Sequence, residues 1–516
     1  MNFSKNFILK LALFATGLSG IVAEYVLATL ASYFLGDSIK QWALIISLML
    51  FCMGLGSRLT QSISKSLYLW FIGIEFALSL VVSFSALLAY TTAAFSSYTG
   101  ILIYGLAIIT GLFIGMELPL AMRLNERFES LKINVSSILE QDYYGSLLGG
   151  LFFAFVGLPY LGLTYTPFLL GFINLFVAIA LLNSFKAEKE QIPKKSLNIL
   201  ALCIAGIIGL GAINAEKIIF FGEQKKYTDK IVYSEQSAYQ KIVLTEWKND
   251  HWLYLDGHLQ FSSYDEELYH EVLVHPAVHL ANRPQRVLIM GGGDGCAARE
   301  LLKYPFIQKI EVVDIDPAIT NLAKTNKDLI KINKNSFNNK KVEIHNKDGF
   351  IFLEKEASFY DLIIIDLPDP RSVELARLYS LEFYQLCRKR LRENGVLITQ
   401  AGSPYFAPLS FKCIEKTIAN AGFSTIPMHN QIITMGEWGW IIGNKEHLTK
   451  KEILARLKTI DLSKTETAWL NKDAIDLITS FGKDFFSENA TDSIQINRIH
   501  DPVLSRYYFD SRWDVY

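Results

Sequence analysis

The sequence predicts a multi-span α-helical membrane domain fused to a small β-hairpin region and a Rossmann-like α/β domain. Three observations predict it. Charge is divided unequally, with 22 Asp, Glu, Lys and Arg among the first 215 residues and 79 among the remaining 301, as expected for a membrane half and a water-soluble half. Seven apolar runs fall in the first part, and a strand, a glycine loop and a helix follow one another in the second. The implied divisions are 1–215 for the membrane domain, 216–280 for the β-hairpin part, 281–445 for the nucleoside-binding domain and 446–516 for a carboxyl-terminal extension. A formal charge of -1, with no basic stripe or block, gives no electrostatic footprint for nucleic acid. The cysteines Cys52, Cys203, Cys296, Cys387 and Cys413 form no C-x-x-C pair, which suggests buried thiols rather than a disulfide framework or a metal site.

The apolar runs lie near 8–35, 41–57, 67–92, 98–122, 143–162, 164–184 and 196–214, each close to the roughly 20 residues needed to cross a bilayer. Lys5 and Lys10 precede the first run as in a signal peptide, but the run continues to Leu35 and further runs follow, so it reads as an uncleaved anchor. Basic residues cluster in alternate loops: Arg58 and Lys65, then Arg123, Arg127 and Lys132, then Lys186, Lys189, Lys194 and Lys195. That pattern places the amino terminus inside a cell (inner) membrane. Seven crossings would then put residue 216 outside, whereas a nucleoside ligand for the second half calls for a cytoplasmic soluble domain; the glycine-rich 196–214 run, as a re-entrant or interfacial segment, would reconcile the two. Glu24, Glu75 and Glu117 sit within apolar runs, where a carboxylate costs a few kcal/mol or more unless paired or hydrated; they mark either a cation path or protonated packing positions.

From about residue 220 the texture changes to short β-rich runs, KIVYSE, YQKIVLTEW and HWLYLDGHLQF, with Asp256-Gly257 as turn chemistry. A helical stretch from about Glu266 to Leu280 precedes the buried strand RVLIM, then Gly291-Gly292-Gly293-Asp294-Gly295, then the helical AARELLKY. The following strand delivers Asp314, 23 residues after Gly291, near the spacing at which an acid meets a ribose diol. Asp294 within the loop would repel a phosphate, so a cationic nucleoside such as a sulfonium fits better than a pyrophosphate. Asp348-Gly349 ends another strand, and YDLIIIDLPDP places Asp366 and Asp369 three apart on a proline-stiffened loop. VLITQ and WGWII complete the sheet.

Together these residues resemble the spermidine synthase family of polyamine aminopropyltransferases, in its membrane-fused branch, across roughly 225–445. The motifs are Tyr239-Gln240, LDGHLQ ending at Gln260, DEELYHE with Tyr269 and His270, GGGDG, VVDID, Asp348-Gly349 and Asp366-x-x-Asp369. The resemblance implies a methyltransferase-type Rossmann-like fold, no prosthetic group or metal, and decarboxylated S-adenosylmethionine as co-substrate. It implies that Gln240, Gly291, Gly293, Asp314, Asp348 and Gly349 surround the donor, with Asp314 on the ribose diol and Asp348 on the adenine amine. Gln260, His270 and Asp294 would line its aminopropyl end, Asp366 would act as catalytic base, and Asp369 and Tyr269 would hold the acceptor amine, making spermidine from putrescine. A homodimer is implied in the same way.

Two departures fall on the acceptor side. The run after the second aspartate is Asp369-Pro370-Arg371-Ser372, without the family's glycine-proline, and Ile433 stands where a tyrosine precedes the glycine, here Gly436, by three. Trp438 and Trp440 either wall a different amine or pack in the core. An S-adenosylmethionine-dependent methyltransferase and a polyamine transporter or sensor with a nucleoside-binding domain are the competing classes; Asp294 with the Asp366/Asp369 pair argues against methyl transfer. The tail, ending in DPVLSRYYFDSRWDVY, reads as an aromatic segment packed on the domain, with no chemistry assigned.

Overall fold

The computed structural model describes residues 5–36, 38–96, 98–126, 130–184, 194–486 and 493–513. Arg127, Lys186 and Lys189, used above in the charge argument, lie outside the described residues. The chain forms two compact units, Met1–Lys230 and Ile231–Tyr516.

The first unit is helical: α1 (Lys5–Leu35), α2 (Ser38–Leu59), α3 (Leu67–Phe95), α4 (Thr99–Asn125), α5 (Leu131–Phe152), α6 (Gly162–Ser184) and α7 (Lys194–Lys226). These helices cover the seven apolar runs. Among the described residues, six stretches are long and apolar enough to cross a membrane, the longest being Leu131–Ser184. That stretch is two helical segments, not one straight helix. Gly162 adopts a positive φ of 60°, and Thr166 Oγ1 donates to the Gly157 carbonyl at 2.9 Å, a nine-residue separation that a straight helix would stretch to about 13 Å.

Helix α7 runs unbroken to Lys226, past the division placed at 215, because EKIIFFGEQKK keeps enough apolar residues to continue the helix. Cys203 is exposed on it, while the other four cysteines are buried; an apolar helix with an outward face has no need to bury every thiol.

The second unit starts with a four-stranded sheet in the order β1 (Lys230–Gln236), β2 (Lys241–Trp247), β3 (Asp250–Leu255), β4 (His258–Ser262). Asp256 and Gly257 both take positive φ in the β3–β4 turn, the backbone that tight hairpins require. Ile242, Leu244, Leu253 and Phe261 form one face, packed on Ile319, Leu322 and Leu329. This fastens the sheet to the two helices at 317–325 and 327–332, just after Asp314 and Asp316.

The larger domain holds α8 (Glu267–Leu280), β5 (Arg286–Gly291), α9 (Cys296–Leu302), β6 (Lys309–Asp314), α10 (Pro317–Thr325), α11 (Lys327–Ile332), β7 (Val342–Asn346), α12 (Gly349–Lys355), β8 (Tyr360–Asp366), α13 (Val373–Ala376), α14 (Leu381–Arg390), β9 (Leu391–Gln400), α15 (Pro408–Asn420), β10 (Ser424–Ile432) and β11 (Gly436–Asn444). The sheet order is β10-β11-β9-β8-β5-β6-β7. Strands β7, β6, β5, β8 and β9 are parallel; β11 is antiparallel to β9, and β10 is antiparallel to β11 and so runs with the parallel set. Val287 and Ile289 belong to one core and Leu288 and Met290 to the other, which is why RVLIM is continuously apolar: both faces are covered. Such a sheet binds ligands beyond the carboxyl ends of its strands, where strand order reverses; here that is the crevice between β8, β5 and β6. The extension adds α16 (Lys450–Leu457), α17 (Lys472–Ile478) and α18 (Val503–Phe509).

Candidate active site

Strands β5 and β8 run side by side, with Gly291 opposite Asp366, and the Gly292 amide donates to the Asp366 carbonyl at 3.0 Å. Glycine is required at 291: its φ is 79°, and a Cβ there would stand 2.1 Å from the Asp366 carbonyl oxygen. Gly293 is required for a different reason, since a Cβ would reach 2.6 Å from Asp314 Oδ2. The glycine loop thus brings three carboxylates, Asp294, Asp314 and Asp366, around one backbone turn.

Helix α8 supplies the opposite wall. The Tyr269 hydroxyl donates to Asp366 Oδ1 at 2.8 Å, and the ring packs on Trp440 at 5.2 Å between centroids. His270 Nδ1 lies 2.7 Å from Glu266 Oε2, and its Nε2 is 4.0 Å from Asp294 Oδ1. Arg299 grips Glu266 with both Nη atoms, at 2.5 and 2.9 Å. Burial opposes charge on Glu266, but His270 and Arg299 hold its carboxyl below the usual range. Burial likewise disfavours His270 as a cation; Glu266, Asp294 and Asp366 override it and raise the imidazole to about 9. Desolvation and the neighbouring Asp294 push Asp366 up to about 6, against the opposing pull of His270 and Tyr269. Asp314 rises to about 7, chiefly by desolvation, which prevails over the hydrogen bond it accepts from the Asp316 amide at 2.9 Å and is reinforced by the charges of Asp316, Asp294 and Asp366.

One ligand atom each from His270, Asp294 and Asp366 lie within 4.8 Å of one another, with Asp294 and Asp366 only partly buried. An ammonium would be drawn to the two carboxylates at that spacing. The pocket is acidic, lined by a protonated imidazole on one side, and contains a carboxylate poised near neutrality: suited to attract a cation and to accept a proton.

Other residues singled out from sequence fall into place unequally. Gln240 Nε2 donates to Asp316 Oδ2 at 2.9 Å, beside Ser237 at 2.7 Å, so it reaches the rim of the crevice through Asp316. Asp348 caps α12 through the Ile351 amide at 3.0 Å and pairs with Arg377; Gly349 opens that helix, and a Cβ on it would meet Met290 Cε at 2.6 Å. Gln260 is not brought in by any hydrogen bond among the described residues; its amide donates to His258 O of its own strand. Tyr269, expected together with Asp369 to hold the acceptor amine, hydrogen-bonds Asp366. Asp369 instead is buried, accepting from the Tyr508 hydroxyl at 2.7 Å and from Arg371 Nη2 at 3.3 Å. Gln400 Nε2 and the Tyr379 hydroxyl fasten the intervening loop through the Leu367 and Pro368 carbonyls.

Sequence reasoning missed Glu266, Arg299, Asp316 and Tyr508. Glu266 and Asp316 sat inside quoted motifs, as the first Glu of DEELYHE and the last acid of VVDID. Tyr508 carried no signal: it lies 139 residues from Asp369. Trp440 is fully buried and Trp438 nearly so, which settles both as packing residues, Trp440 as the floor under Tyr269.

A spermine/spermidine synthase domain model matches residues 266–453. Polyamine aminopropyltransferase 2 of Aquifex aeolicus is 43% identical over 97% of this chain and 98% of its own. The chain belongs to the polyamine aminopropyltransferase (spermidine synthase) family. Polyamine aminopropyltransferases of Oceanobacillus iheyensis and Leptospira interrogans are 39% and 37% identical, each over 96% of both chains, so the family likeness includes the helical unit. A solved spermidine synthase in complex with the transition state analogue AdoDATO is 27% identical over 51% of this chain and 88% of that one, with a TM-score of 0.46.

Proposed function

We propose that this family member is a membrane-embedded enzyme that transfers the aminopropyl group of decarboxylated S-adenosylmethionine to a short diamine such as putrescine. The observation that carries it is the convergence of Asp294, Asp366 and the His270–Glu266–Arg299 relay at the ends of β5 and β8. Asp314 takes the ribose diol, and the Asp348–α12 corner takes the adenine. Asp294 faces the donor's tail, attracting an ammonium and repelling the α-carboxylate of intact S-adenosylmethionine, which is selection by charge. Asp366 accepts the proton of the attacking amine; the nitrogen lone pair forms the new C–N bond at the methylene beside sulfur, the C–S bond breaks, and its electrons neutralise the sulfonium as methylthioadenosine. Asp369, held by Tyr508 and Arg371, anchors the far end of the acceptor.

The bundle supports membrane insertion by length, apolarity and its outward apolar face. Ring contacts of Tyr33 and Phe34 with Tyr90, and of Phe95 with Phe221, bring the carboxyl ends of α1, α3 and α7 to one end. Arg58, Lys65, Arg123 and Lys132 lie at the other, where Arg123 donates to Thr60 O and Tyr68 donates to Leu181 O. If the basic end faces the cytoplasm, the chain leaves the bundle on the far side, opposite to the cytoplasmic placement expected from a cytosolic donor. The acceptor is tested by supplying detergent-purified protein with the decarboxylated donor and diamines of increasing length, and weighing the products. Preferred extension of putrescine supports the reading; preference for a long triamine overturns the assignment of the acceptor.

A further inference from the structure

The helical unit carries buried acids that aminopropyl transfer does not use. Helices α3 and α6 are antiparallel: Tyr68 donates to Leu181 O, Ser79 donates to Gly171 O at 2.8 Å, and Phe84 meets Phe168 at 5.7 Å. That register sets Glu75 level with Asn174. Asn174 and Glu117 line one thin cleft with Thr16, Ser19 and Leu78, about 190 Å³ of interstitial space with no room for a water-sized sphere.

Glu75 is fully buried, and neither of its carboxylate oxygens has a hydrogen-bond partner; the same holds for one oxygen of Glu117, which is 3% exposed, and for the side-chain oxygen of Asn174, which is 2% exposed. All are acceptors. Glu75 and Glu117 interact electrostatically, as do Glu117 and Asp142. Further titratable side chains on the packed helices include Lys10, Glu24, Tyr25 and Tyr33 on α1, Cys52 on α2, Tyr68 and Tyr90 on α3, Tyr104 and Arg123 on α4, and Lys132, Glu140, Tyr143 and Tyr144 on α5. Among the described residues, no lysine or arginine on α1, α3, α4 or α6 lies within one turn of the layer. Two buried carboxyl groups whose oxygens lack hydrogen-bond partners are costly as anions in an apolar bundle and call for a proton.

Glu75 is eight residues from the start of α3 and Glu117 eight from the end of α4, about 12 Å of helix in each case. From the basic end a cleft of about 560 Å³, lined by Ser62, Ser64, Lys65, Trp70 and Met116, reaches inward to the residue preceding Glu117. Water can occupy that cleft but not the space beyond it.

We propose that Glu75, Glu117 and Asn174 form a proton-binding site inside the bundle, reached from the basic end through the cleft above Met116. It rests on the reading of this unit as a membrane domain. The unfilled space is too thin for an alkylammonium and adequate for a proton, and the cleft supplies access from one face only, so the bundle holds half of a proton path.

The test uses the full chain in phosphatidylcholine liposomes, treated with dicyclohexylcarbodiimide, which modifies protonated carboxyl groups in apolar surroundings, with the sites read by peptide mass. The proposal expects modification at Glu75 or Glu117 that falls as the pH is raised, and a carboxylic-acid infrared band that weakens in step in the wild-type protein. Glu75→Gln and Glu117→Gln should each remove their own modification and leave aminopropyl transfer unchanged. Absence of modification at every pH, or modification and band both independent of pH, overturns it. Protection by putrescine at fixed pH overturns the assignment to a proton in favour of an alkylammonium. Release of the protein from membranes by alkaline carbonate would overturn the membrane reading instead, a distinguishable failure.

Discussion

Removing one hydroxyl from the site, in Tyr269→Phe, tests how the pocket sets its base. The ring packs between His270 and Trp440, and phenylalanine keeps both contacts, so only the 2.8 Å hydrogen bond to Asp366 Oδ1 is lost. A hydrogen bond to a charged group contributes about 1.5–3 kcal/mol, and 1.36 kcal/mol corresponds to one pKa unit. Asp366, already raised to about 6 by burial and by Asp294, should therefore rise by about one to two units. The assay is kcat/KM against pH, whose acid limb reports the free enzyme's base. The wild type should lose activity as the pH falls through about 6, and the variant should lose it about one to two units higher, with the two profiles converging at alkaline pH. The amine substrate's own ionisation is common to both and cancels. A uniform drop with an unmoved acid limb would show that Tyr269 does not act through Asp366.

Further expectations concern the neighbouring groups. Asp366→Asn should lower the chemical rate about 100-fold or more while donor binding, measured by calorimetry, stays within a few-fold; unchanged turnover removes Asp366 as base. Asp294→Asn should narrow the preference for the decarboxylated over the intact donor, and an unaltered ratio of their kcat/KM values ends the charge-selection argument. Tyr508→Phe should raise the acceptor KM by about 5–10-fold, the equivalent of a hydrogen bond of about 1–1.4 kcal/mol, with kcat and donor KM little changed; an effect confined to donor KM contradicts its placement. Ligand-free stability should fall as pH rises: Asp314 and Asp366 have folded-state values above their ordinary ones, so their stabilising contribution is lost as pH climbs toward about 7 and about 6, and that of His270 is lost as pH rises from 6.5 through about 9. A melting temperature that rises across this range contradicts the sign. A periplasmic-type reporter fused after Tyr516 should be active if the basic end is cytoplasmic, and a cytoplasmic reporter if it is not.

Much of the architecture is legible in sequence because it is local. Apolar run length located the seven helices, and the order of strand, glycine loop and helix located the crevice with Asp294, Asp314 and Asp366 around it. The end of α7 was less legible, since EKIIFFGEQKK mixes charge with apolar residues and only its helical continuation shows where the bundle stops. Motif order placed Tyr269 near the acceptor, but which aspartate it touches depends on the angle of α8 against β8. Tyr508 was beyond reach because its partner is distant in sequence and the tail has no periodic pattern; a compensating aromatic was the signal to seek once Ile433 and Arg371 departed from the family pattern. Glu266 and Arg299 were hidden because they act on one another behind His270: Arg299 grips Glu266, and Glu266 holds His270.

The most direct measurement is the identity of the nucleoside released by purified full-length protein given decarboxylated and intact S-adenosylmethionine in competition, with putrescine present, read by mass. Methylthioadenosine together with spermidine, from the decarboxylated donor alone, is the result expected of an acidic tail pocket beside a carboxylate base. S-adenosylhomocysteine with a methylated amine would contradict it, because Asp294 would then have failed to exclude the donor's carboxylate.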